Sequence, residues 1–259
     1  MTVLWPDYSI VIPLYNEEAC VERSVLEVIH ALEEPFAGRY ELILVINGST
    51  DRTGDLCQAL AARFTHIKLV CTARNLGYGG GILRGMAEAQ GRFCGFMCGD
   101  GQVPGEALVR VMRKIAQGPY DLVKVRRISR GDGVARQVQS TVYNMLFRAL
   151  FRIPCRDINA MPKLLRMDVY QQLALESTDW FIDAEIMIKA HHAGLRIHEL
   201  PTTYLRRVGG SSVVRLSTVF EFLGNARRIL ASGKLAEWKR ICCLSTNTEM
   251  VTAANVSDA

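Results

Sequence analysis

The chain of 259 residues contains no apolar run of the ~18 residues that a membrane-spanning helix needs, so the sequence predicts no such helix. Residues 1–6 lead directly into strand-like sequence and lack a signal-peptide layout. The formal charge is only +5, and no long run of like charges forms a tail. Basic residues are not interleaved with aromatic residues, which argues against a nucleic-acid partner. What remains is a globular protein with 49% hydrophobic residues and a full core.

Cysteine and histidine are present but lack the spacings of a metal site or a disulfide framework. The eight cysteines form no C-x-x-C pair, and the five histidines show no ligand spacing. Most cysteines lie in apolar or helical contexts, where a thiol packs as a small hydrophobe. This usage predicts a reduced, cytoplasmic setting.

Strand-like and helix-like segments alternate along the chain. The predicted strands cover residues 8–14, 41–46, 67–71, 93–98, 121–125 and 196–200. The predicted helices cover about 21–32, 51–64, 106–116, 137–151, 180–193 and 216–235, with another that follows a flexible Gly-rich stretch, 77–81, and runs to 89. Apolar strands alternating with helices predict an α/β fold whose mostly parallel sheet is covered on both faces.

Polar side chains follow three of these strands. They lie in Pro13–Glu17, at Ile46–Asn47 and at Cys98–Asp100. Ligands of such sheets bind at the carboxyl ends of the strands, so we expect these residues to converge on one crevice. Tyr15 suits stacking and Asn47 suits a base or ribose, although such residues also begin and cap helices.

The third strand end also indicates a divalent cation. Asp100 and Gln102 offer oxygen ligands at alternate positions, which suits Mg2+ or Mn2+ shared with a diphosphate. Cys98 stands where an acid would complete a D-x-D pair, and a hard cation does not favour its thiolate. The sequence therefore predicts a metal site with weakened affinity.

Three further features leave alternatives open. The Gly-rich stretch Arg74–Gly81 could bring backbone to a phosphate at a helix N-terminus or could be a close-packing loop. Asp183 and Glu185 lie in an apolar helix, where an acid is either functional or paired with a buried arginine. Arginines suited to phosphate groups flank this region, and some of them will be solvated or ion-paired. They are Arg126, Arg127, Arg130, Arg136, Arg206 and Arg207.

The ordered set of motifs resembles glycosyltransferase family 2, in particular its polyprenyl-phosphate branch that includes the dolichyl-phosphate mannosyltransferases. Each motif is weak alone, but the order from about Tyr8 to Ser212 is specific. The motifs are residues 9–18 (SIVIPLYNEE), 45–51 (VINGSTD), 75–77 (NLG), 99–102 (GDGQ), Arg136 with Ser140, Arg156–Asp157 and 206–211 (RRVGGS).

The resemblance implies a GT-A, Rossmann-like fold and an inverting transfer from a GDP- or UDP-sugar. It implies a GT-A domain over residues 1–215, with a nucleotide-binding half to about 125 and an acceptor half to 215. Residues 216–259 would form an amphipathic helix and a flexible tail. The helix could lie on the cytoplasmic face of a membrane.

The resemblance also assigns roles to residues. Asp100 and Gln102 would hold the metal, with Cys98 and Gly99 beside them. An anionic lipid-phosphate acceptor would need no strong base, whereas a hydroxyl acceptor would need Asp183 or Glu185. The nucleotide would be bound by Pro13, Tyr15, Glu17, Ile46, Asn47 and Asn75. The acceptor phosphate would be bound by Arg127, Arg136 and Ser140, and the donor diphosphate by Arg206 or Arg207.

Two departures from the family pattern keep other hypotheses open. The family usually has an acid at the positions of Ile46 and Cys98. The change at Ile46 leaves the nucleotide base open, and the change at Cys98 leaves metal dependence open. Transfer to a soluble hydroxyl acceptor and a non-catalytic sugar-nucleotide-binding subunit are the alternatives to transfer onto a polyprenyl phosphate.

Overall fold

A computed structural model describes residues 6–130, 134–205, 224–229, 231 and 233. Its seven strands are β1 (Tyr8–Leu14), β2 (Tyr40–Asn47), β3 (Ile67–Thr72), β4 (Phe93–Phe96), β5 (Leu122–Arg130), β6 (Lys163–Arg166) and β7 (Ile197–Tyr204). The principal helices are α1 (Val21–Phe36), α2 (Thr53–Arg63), α3 (Gly77–Met86), α4 (Gly105–Gln117), α5 (Val134–Phe151), α6 (Met167–Leu173) and α7 (Ile182–His192).

All seven strands form one sheet in the order β3-β2-β1-β4-β6-β5-β7. β6 runs antiparallel to β4 and β5, and the other pairs are parallel. The predicted α/β class and mostly parallel sheet are confirmed. β6 and α6 were not predicted, because a strand of only four residues gives little periodicity to read.

Alternate strand residues build two cores on opposite faces of the sheet. Ile10 and Ile12 join the first core, beneath α1, α2 and α4, whereas Val11 joins the second. The second core contains Phe147 of α5 and Ile186 of α7. Burial on both faces explains why the parallel strands read as nearly continuous apolar runs.

The strand register aligns the carboxyl ends of the parallel strands. Leu14 lies opposite Ile46 in the β1–β2 pair, and Val11 lies opposite Phe96 in the β1–β4 pair. The loops that follow β1, β2 and β4 therefore leave the sheet at the same edge.

Two details of the structure bear on the predicted elements. β5 continues through residues 125 and 126, so the two predicted halves share one sheet. α3 begins at Gly77, so the Gly-rich stretch is helical rather than a flexible lead-in.

Most of the predicted C-terminal segment, 216–259, lies outside the described residues. Within it, residues 224–229 are helical. Asn225 donates from Nδ2 to Oδ2 of Asp179 at 2.7 Å, and Ala226 is buried in the second core. Among the residues that the structure describes, no helix is long and apolar enough to cross a membrane.

Candidate functional site

Hydrogen bonds tie together the loops that follow β1 and β2. The backbone N–H of Glu17 donates to Oγ1 of Thr53 at 2.9 Å. Asn16 has a positive φ of 54° and accepts at Oδ1 from the backbone N–H of Thr50 at 2.9 Å. Asp51 accepts from the backbone N–H groups of Glu18 and Thr53. Asp51 therefore orders the loops that follow β1 and β2.

Asn47, at the end of β2, is buried and its amide is fully engaged. Its Oδ1 accepts from the backbone N–H of Leu76 at 3.0 Å and from Oγ1 of Thr72 at 3.2 Å. Its Nδ2 donates to the carbonyl of Gly77 at 3.0 Å and to Oδ1 of Asn75 at 3.3 Å. Asn47 thus fixes the 72–77 loop beside β2.

Other predicted nucleotide residues lie at the same edge but present different chemistry. Tyr15 is 46% exposed, so its ring is available for stacking. Pro13 lies near Gly81, since a Cβ on that glycine would meet the Cβ of Pro13 at 3.4 Å. Asn75 accepts at Oδ1 from the backbone N–H of Gly77 at 2.7 Å, which orders the start of α3. Ile46 is buried in the first core and offers no polar atom from its side chain.

The segment that follows β4 carries the predicted metal ligands. Asp100 and Gln102 are both 8% exposed, and the backbone N–H of Gln102 donates to Oδ1 of Asp100 at 3.1 Å. Gly99 lies so close to β1 that an added Cβ would meet Cδ2 of Leu14 at 2.4 Å. The carbonyl of Gly99 accepts from Sγ of Cys20 at 3.6 Å. The first and third loops are therefore in direct contact.

Cys98 is only partly buried and contacts an aromatic and sulfur-rich cluster. Its Sγ lies 3.1 Å from Sδ of Met161. Tyr78 donates to the same Sδ at 3.5 Å, and Tyr204 donates to the carbonyl of Met161 at 2.5 Å. Burial is the main cause that raises the pKa values of both tyrosines, which therefore stay protonated. The sequence did not reveal Met161, Tyr78 or Tyr204, because they come together only through the fold.

The Gly-rich stretch at the start of α3 packs against the segment 177–179. A Cβ on Gly79 would meet the carbonyl oxygens of Ser177 at 2.3 Å and Asp179 at 2.8 Å. The backbone N–H of Gly80 donates to the carbonyl of Thr178 at 2.9 Å. Backbone already occupies the space that a phosphate would need, so of the two roles considered for this stretch the structure favours close packing.

Arg127, predicted to bind the acceptor phosphate, makes a two-point ion pair with Asp157. Its Nε and Nη2 donate to Oδ2 at 2.6 Å and to Oδ1 at 2.5 Å. Burial alone would raise the pKa of Asp157, but the hydrogen bonds and charge of Arg127 outweigh it, so the pKa is lowered. The guanidinium also lies over the ring of Tyr204 at 5.4 Å. The ion pair between Arg127 and Asp157 anchors the 152–160 loop to β5.

Asp183 and Glu185 are both buried, and both pair with lysines rather than with an arginine, the partner considered from the sequence as an alternative to a functional role. Asp183 accepts from Lys163, a fully buried residue of β6. Glu185 pairs with Lys189 at 2.6 Å and accepts from the backbone N–H of Ser177 at 2.8 Å. Burial lowers the pKa of Lys163 to about 8, against the opposing charge of Asp183. These partners favour structural roles for both acids over that of a general base.

Of four further predicted residues, two can be placed and two lie outside the described residues. Ser140 is half-buried on α5, where its Oγ accepts from Nδ2 of Asn144 at 3.5 Å. Arg136 belongs to α5, but its side chain lies outside the described residues, as do Arg206 and Arg207 entirely. The described chain before them ends at Leu205, whose backbone N–H donates to the carbonyl of Gln102 at 2.8 Å.

The donor set at Asp100 fits a cation that arrives with a diphosphate better than a resident metal. One carboxylate and one amide are both oxygen ligands for a hard cation, and Mg2+ commonly keeps waters and takes substrate phosphates. In the described part of the chain, no group of three or more His, Cys, Asp or Glu side chains could hold a metal by itself. Substrate oxygens would have to complete the coordination.

The chain is similar to curated glycosyltransferases over most of its length. It is 29% identical to the dolichol-phosphate mannosyltransferase of Pyrococcus furiosus, and the alignment covers 86% of this chain and 63% of the relative. It is 28% identical to the undecaprenyl-phosphate 4-deoxy-4-formamido-L-arabinose transferase of Photorhabdus laumondii, covering 77% of this chain and 57% of the relative. Glycosyltransferase AglD of Haloferax volcanii is 29% identical, covering 86% of this chain and 36% of the relative. The chain thus spans 36% to 63% of these relatives' lengths.

Solved structures share the fold. Glucosyl-3-phosphoglycerate synthase from Mycobacterium tuberculosis, in complex with Mn2+, UDP and phosphoglyceric acid, superimposes with a TM-score of 0.64 at 19% identity, covering 90% of this chain and 78% of that one. TarS 1–349 of S. aureus in complex with UDP-GlcNAc gives 0.58 at 18% identity, covering 85% and 65%. These neighbours confirm the predicted GT-A fold.

A family model matches residues 9–181, which make up two thirds of the chain. This range contains all three strand-end loops of the candidate site, together with α5 and the segment 177–179 that packs on the Gly-rich helix. The chain belongs to glycosyl transferase family 2.

Proposed function

We propose that this chain is an inverting glycosyltransferase that moves a sugar from a nucleoside-diphosphate sugar to a polyprenyl-type lipid phosphate. The observation that carries the proposal is the meeting of three strand-end loops, in which Tyr15 is exposed, Asn47 orders the 72–77 loop and Asp100 lies at the third strand end. Family membership supports the reaction class, and relatives named for polyprenyl-phosphate transfer support the acceptor.

Each part of the site has a proposed task. Tyr15 stacks on the nucleotide base, and Pro13 and Glu17 line the same crevice. Asp100 and Gln102 hold a Mg2+ or Mn2+ ion together with the donor diphosphate. When bound, that cation would neutralise charge that develops on the leaving diphosphate. Arg206 or Arg207 is proposed as a further diphosphate contact, because the chain reaches them directly after Leu205, next to Gln102.

A lipid-phosphate acceptor is consistent with Asp183 and Glu185 being paired with lysines instead of acting as a general base. A phosphate oxygen is already an anion and can attack the anomeric carbon without losing a proton to a general base. The new bond forms on the face opposite the diphosphate, and the bond from the anomeric carbon to the diphosphate oxygen breaks. Asp183 and Glu185 are held by Lys163 and Lys189, as this chemistry allows. We propose that Arg136 and Ser140 bind the acceptor phosphate, with Arg127 positioning the adjacent loop through Asp157.

Transfer assays with a panel of GDP- and UDP-sugars test the proposal. We expect transfer to a polyprenyl phosphate, at least a hundredfold slower for Asp100→Asn, because that change removes the carboxylate at the metal position. The matched control is Glu34→Gln, an exposed acid in the last turn of α1, which leads into the start of β2 at the edge opposite the strand-end loops. Activity only on a water-soluble acceptor would move the proposal to that class of acceptor, and nucleotide binding without turnover of any donor would favour a non-catalytic subunit.

Metal dependence is tested separately at Cys98. We expect Cys98→Asp to tighten Mn2+ binding in the presence of the nucleotide about tenfold, since it adds a hard carboxylate two residues from Asp100. Cys98→Ser, of similar size and without the charge, should leave the affinity unchanged. Calorimetric titration of Mn2+ into the nucleotide-loaded protein measures both. An equal affinity in the wild type and Cys98→Asp would show that residue 98 does not face the cation.

A further inference from the structure

A helical segment late in the chain, residues 224–229, packs on the second core. Ala226 is 1% exposed, and the half-buried Ile229 packs against the same core. Arg227 and Arg228, in contrast, are exposed. Residues three or four apart lie on the same side of a helix, so the segment is docked on the domain through one defined face.

The same face makes a direct hydrogen bond to the loop that precedes α7. Nδ2 of the half-buried Asn225 donates to Oδ2 of Asp179 at 2.7 Å. Oδ1 of Asp179 accepts from the backbone N–H of Phe181 at 2.9 Å. The Asp179 carboxylate is thus bound on one oxygen by the late segment and on the other by the residue just before α7. Hydrogen bonds to an ionised carboxylate are among the stronger ones in proteins.

Asp179 belongs to a stretch of chain that packs on the first turn of α3. The backbone N–H of Gly80 donates to the carbonyl of Thr178 at 2.9 Å, and the ring of Tyr78 stacks on Trp180 with centroids 4.3 Å apart. α3 begins with the sequence Gly-Tyr-Gly-Gly-Gly. Glycine is the least favourable helix residue apart from proline, so this turn depends on its packing partners. Whatever holds that stretch in place therefore also holds the first turn of α3.

The first turn of α3 is bonded in its turn to the strand-end crevice. Nδ2 of Asn47 donates to the carbonyl of Gly77 at 3.0 Å. Gly81 lies close to both strand ends, since an added Cβ would meet Nδ2 of Asn47 at 3.0 Å and Cβ of Pro13 at 3.4 Å. An unbroken series of direct contacts therefore leads from the late segment to the ends of β1 and β2.

We propose that Asn225 is a positioning residue for the donor site. By holding Asp179, it keeps the first turn of α3 and the adjacent crevice in the arrangement that binds the donor. The inference rests on the proposed function, which assigns this crevice to the nucleoside-diphosphate sugar. It also extends the domain, because residues 224–229 lie beyond residue 181, where the family match ends, and beyond the predicted boundary at residue 215.

Asn225→Asp in the full chain tests the proposal, since it removes the donor group and sets a second carboxylate against Asp179. Because a smaller fraction of the protein is then competent to bind, we expect the donor KM and the Kd of UDP and GDP to rise about tenfold, with kcat at saturating donor unchanged. The swap Asn225→Asp/Asp179→Asn restores a hydrogen-bonded pair of reversed polarity and should recover the wild-type values. Arg227→Gln is the matched control, because it changes the net charge by the same amount on the exposed side of the segment.

Amide hydrogen exchange adds a readout that needs no donor. The N–H of Gly80 should exchange about tenfold faster in Asn225→Asp than in the wild type, and at the wild-type rate in the swap. Asn225→Ala, which removes the donor group without adding charge, gives the same test if Asn225→Asp does not fold.

The outcomes separate this inference from the proposed function. Wild-type KM and wild-type exchange at Gly80 in Asn225→Asp would overturn the inference. A lower kcat at unchanged KM would overturn it too, because the contact would then act on the chemical step and not on donor binding. A wild-type protein that binds no nucleotide would instead refute the proposed function.

Discussion

Two parts of the described chain differ in where their ion pairs lie: the first part is residues 6–100, and the second part is residues 121–205. In the described residues up to 100, the ion pairs lie at the surface; in Arg39–Asp7 the side chains are 58% and 40% exposed. In residues 121–205 several pairs are buried, and in Lys163–Asp183 the side chains are 0% and 2% exposed. A buried pair specifies one arrangement of elements but is costly when one partner is lost.

The same contrast extends to the surface. Of the six exposed large hydrophobic side chains among the described residues, five belong to the second part and only Tyr15 to the first. The first part buries its apolar residues and presents loops ordered by backbone hydrogen bonds. The second part buries charges and exposes apolar residues, the inverse of the first part.

The largest effect should follow from breaking a buried pair. Lys163→Met would leave the Asp183 carboxylate buried without its cation, and we expect the free energy of unfolding to fall by about 3–5 kcal/mol. The double variant Lys163→Met/Asp183→Leu should recover most of that loss, because no charge is left buried. Urea unfolding measures both. A single variant that loses under 1 kcal/mol would contradict the role of the pair.

The same pair should give the second part its own pH dependence. The pKa of Lys163 is lowered to about 8 in the folded protein, below its ordinary value of 10.5. Between these values the unfolded chain binds more protons than the folded protein, so stability should rise with pH across that window. Relative to Lys163→Met/Asp183→Leu, the wild type should gain up to about 1.4 kcal/mol per pH unit. Parallel unfolding curves for the two proteins across this window would refute the assignment.

A smaller effect is expected where the two parts touch. Gly79→Ala would drive a Cβ into the backbone carbonyls of Ser177 and Asp179, and we expect a loss of about 2 kcal/mol. Gly224→Ala is the control, since a Cβ there meets nothing within 4 Å. Thermal unfolding measures stability, and calorimetry measures nucleotide affinity. Unchanged stability with lost nucleotide binding would instead restore a phosphate-binding role to the Gly-rich stretch.

The smallest effect is expected for a surface pair of the first part. Lys68 lies 3.2 Å from Glu88, with side chains 36% and 33% exposed. Lys68→Met should therefore change the free energy of unfolding by about 0.5 kcal/mol or less. It is the matched control for Lys163→Met, since both remove a lysine paired with an acid. Equal losses at the two positions would remove the contrast between the two parts of the sheet.

Features that depend on residues close together in sequence were predicted, whereas contacts between residues distant in sequence were not. β1 was predicted with its observed bounds, because strand periodicity is local. The meeting of Pro13, Asn47 and Asp100 at one edge was predicted from the parallel-sheet rule. β6 was not predicted, because it has only four residues. The lysine partner of Asp183 was not predicted either, because Lys163 lies 20 residues away from it in sequence.

The sequence by itself determined the α/β class, the parallel strands of the first part and the family, since each rests on residues close together or in a fixed order. Only the tertiary structure decided what those residues touch. In the structure the Gly-rich stretch packs against backbone, Asp157 forms an ion pair with Arg127, and Cys98 contacts Met161. The physical reason is that burial and pairing depend on neighbours distant in sequence, whereas periodicity and turn chemistry depend on residues a few positions away.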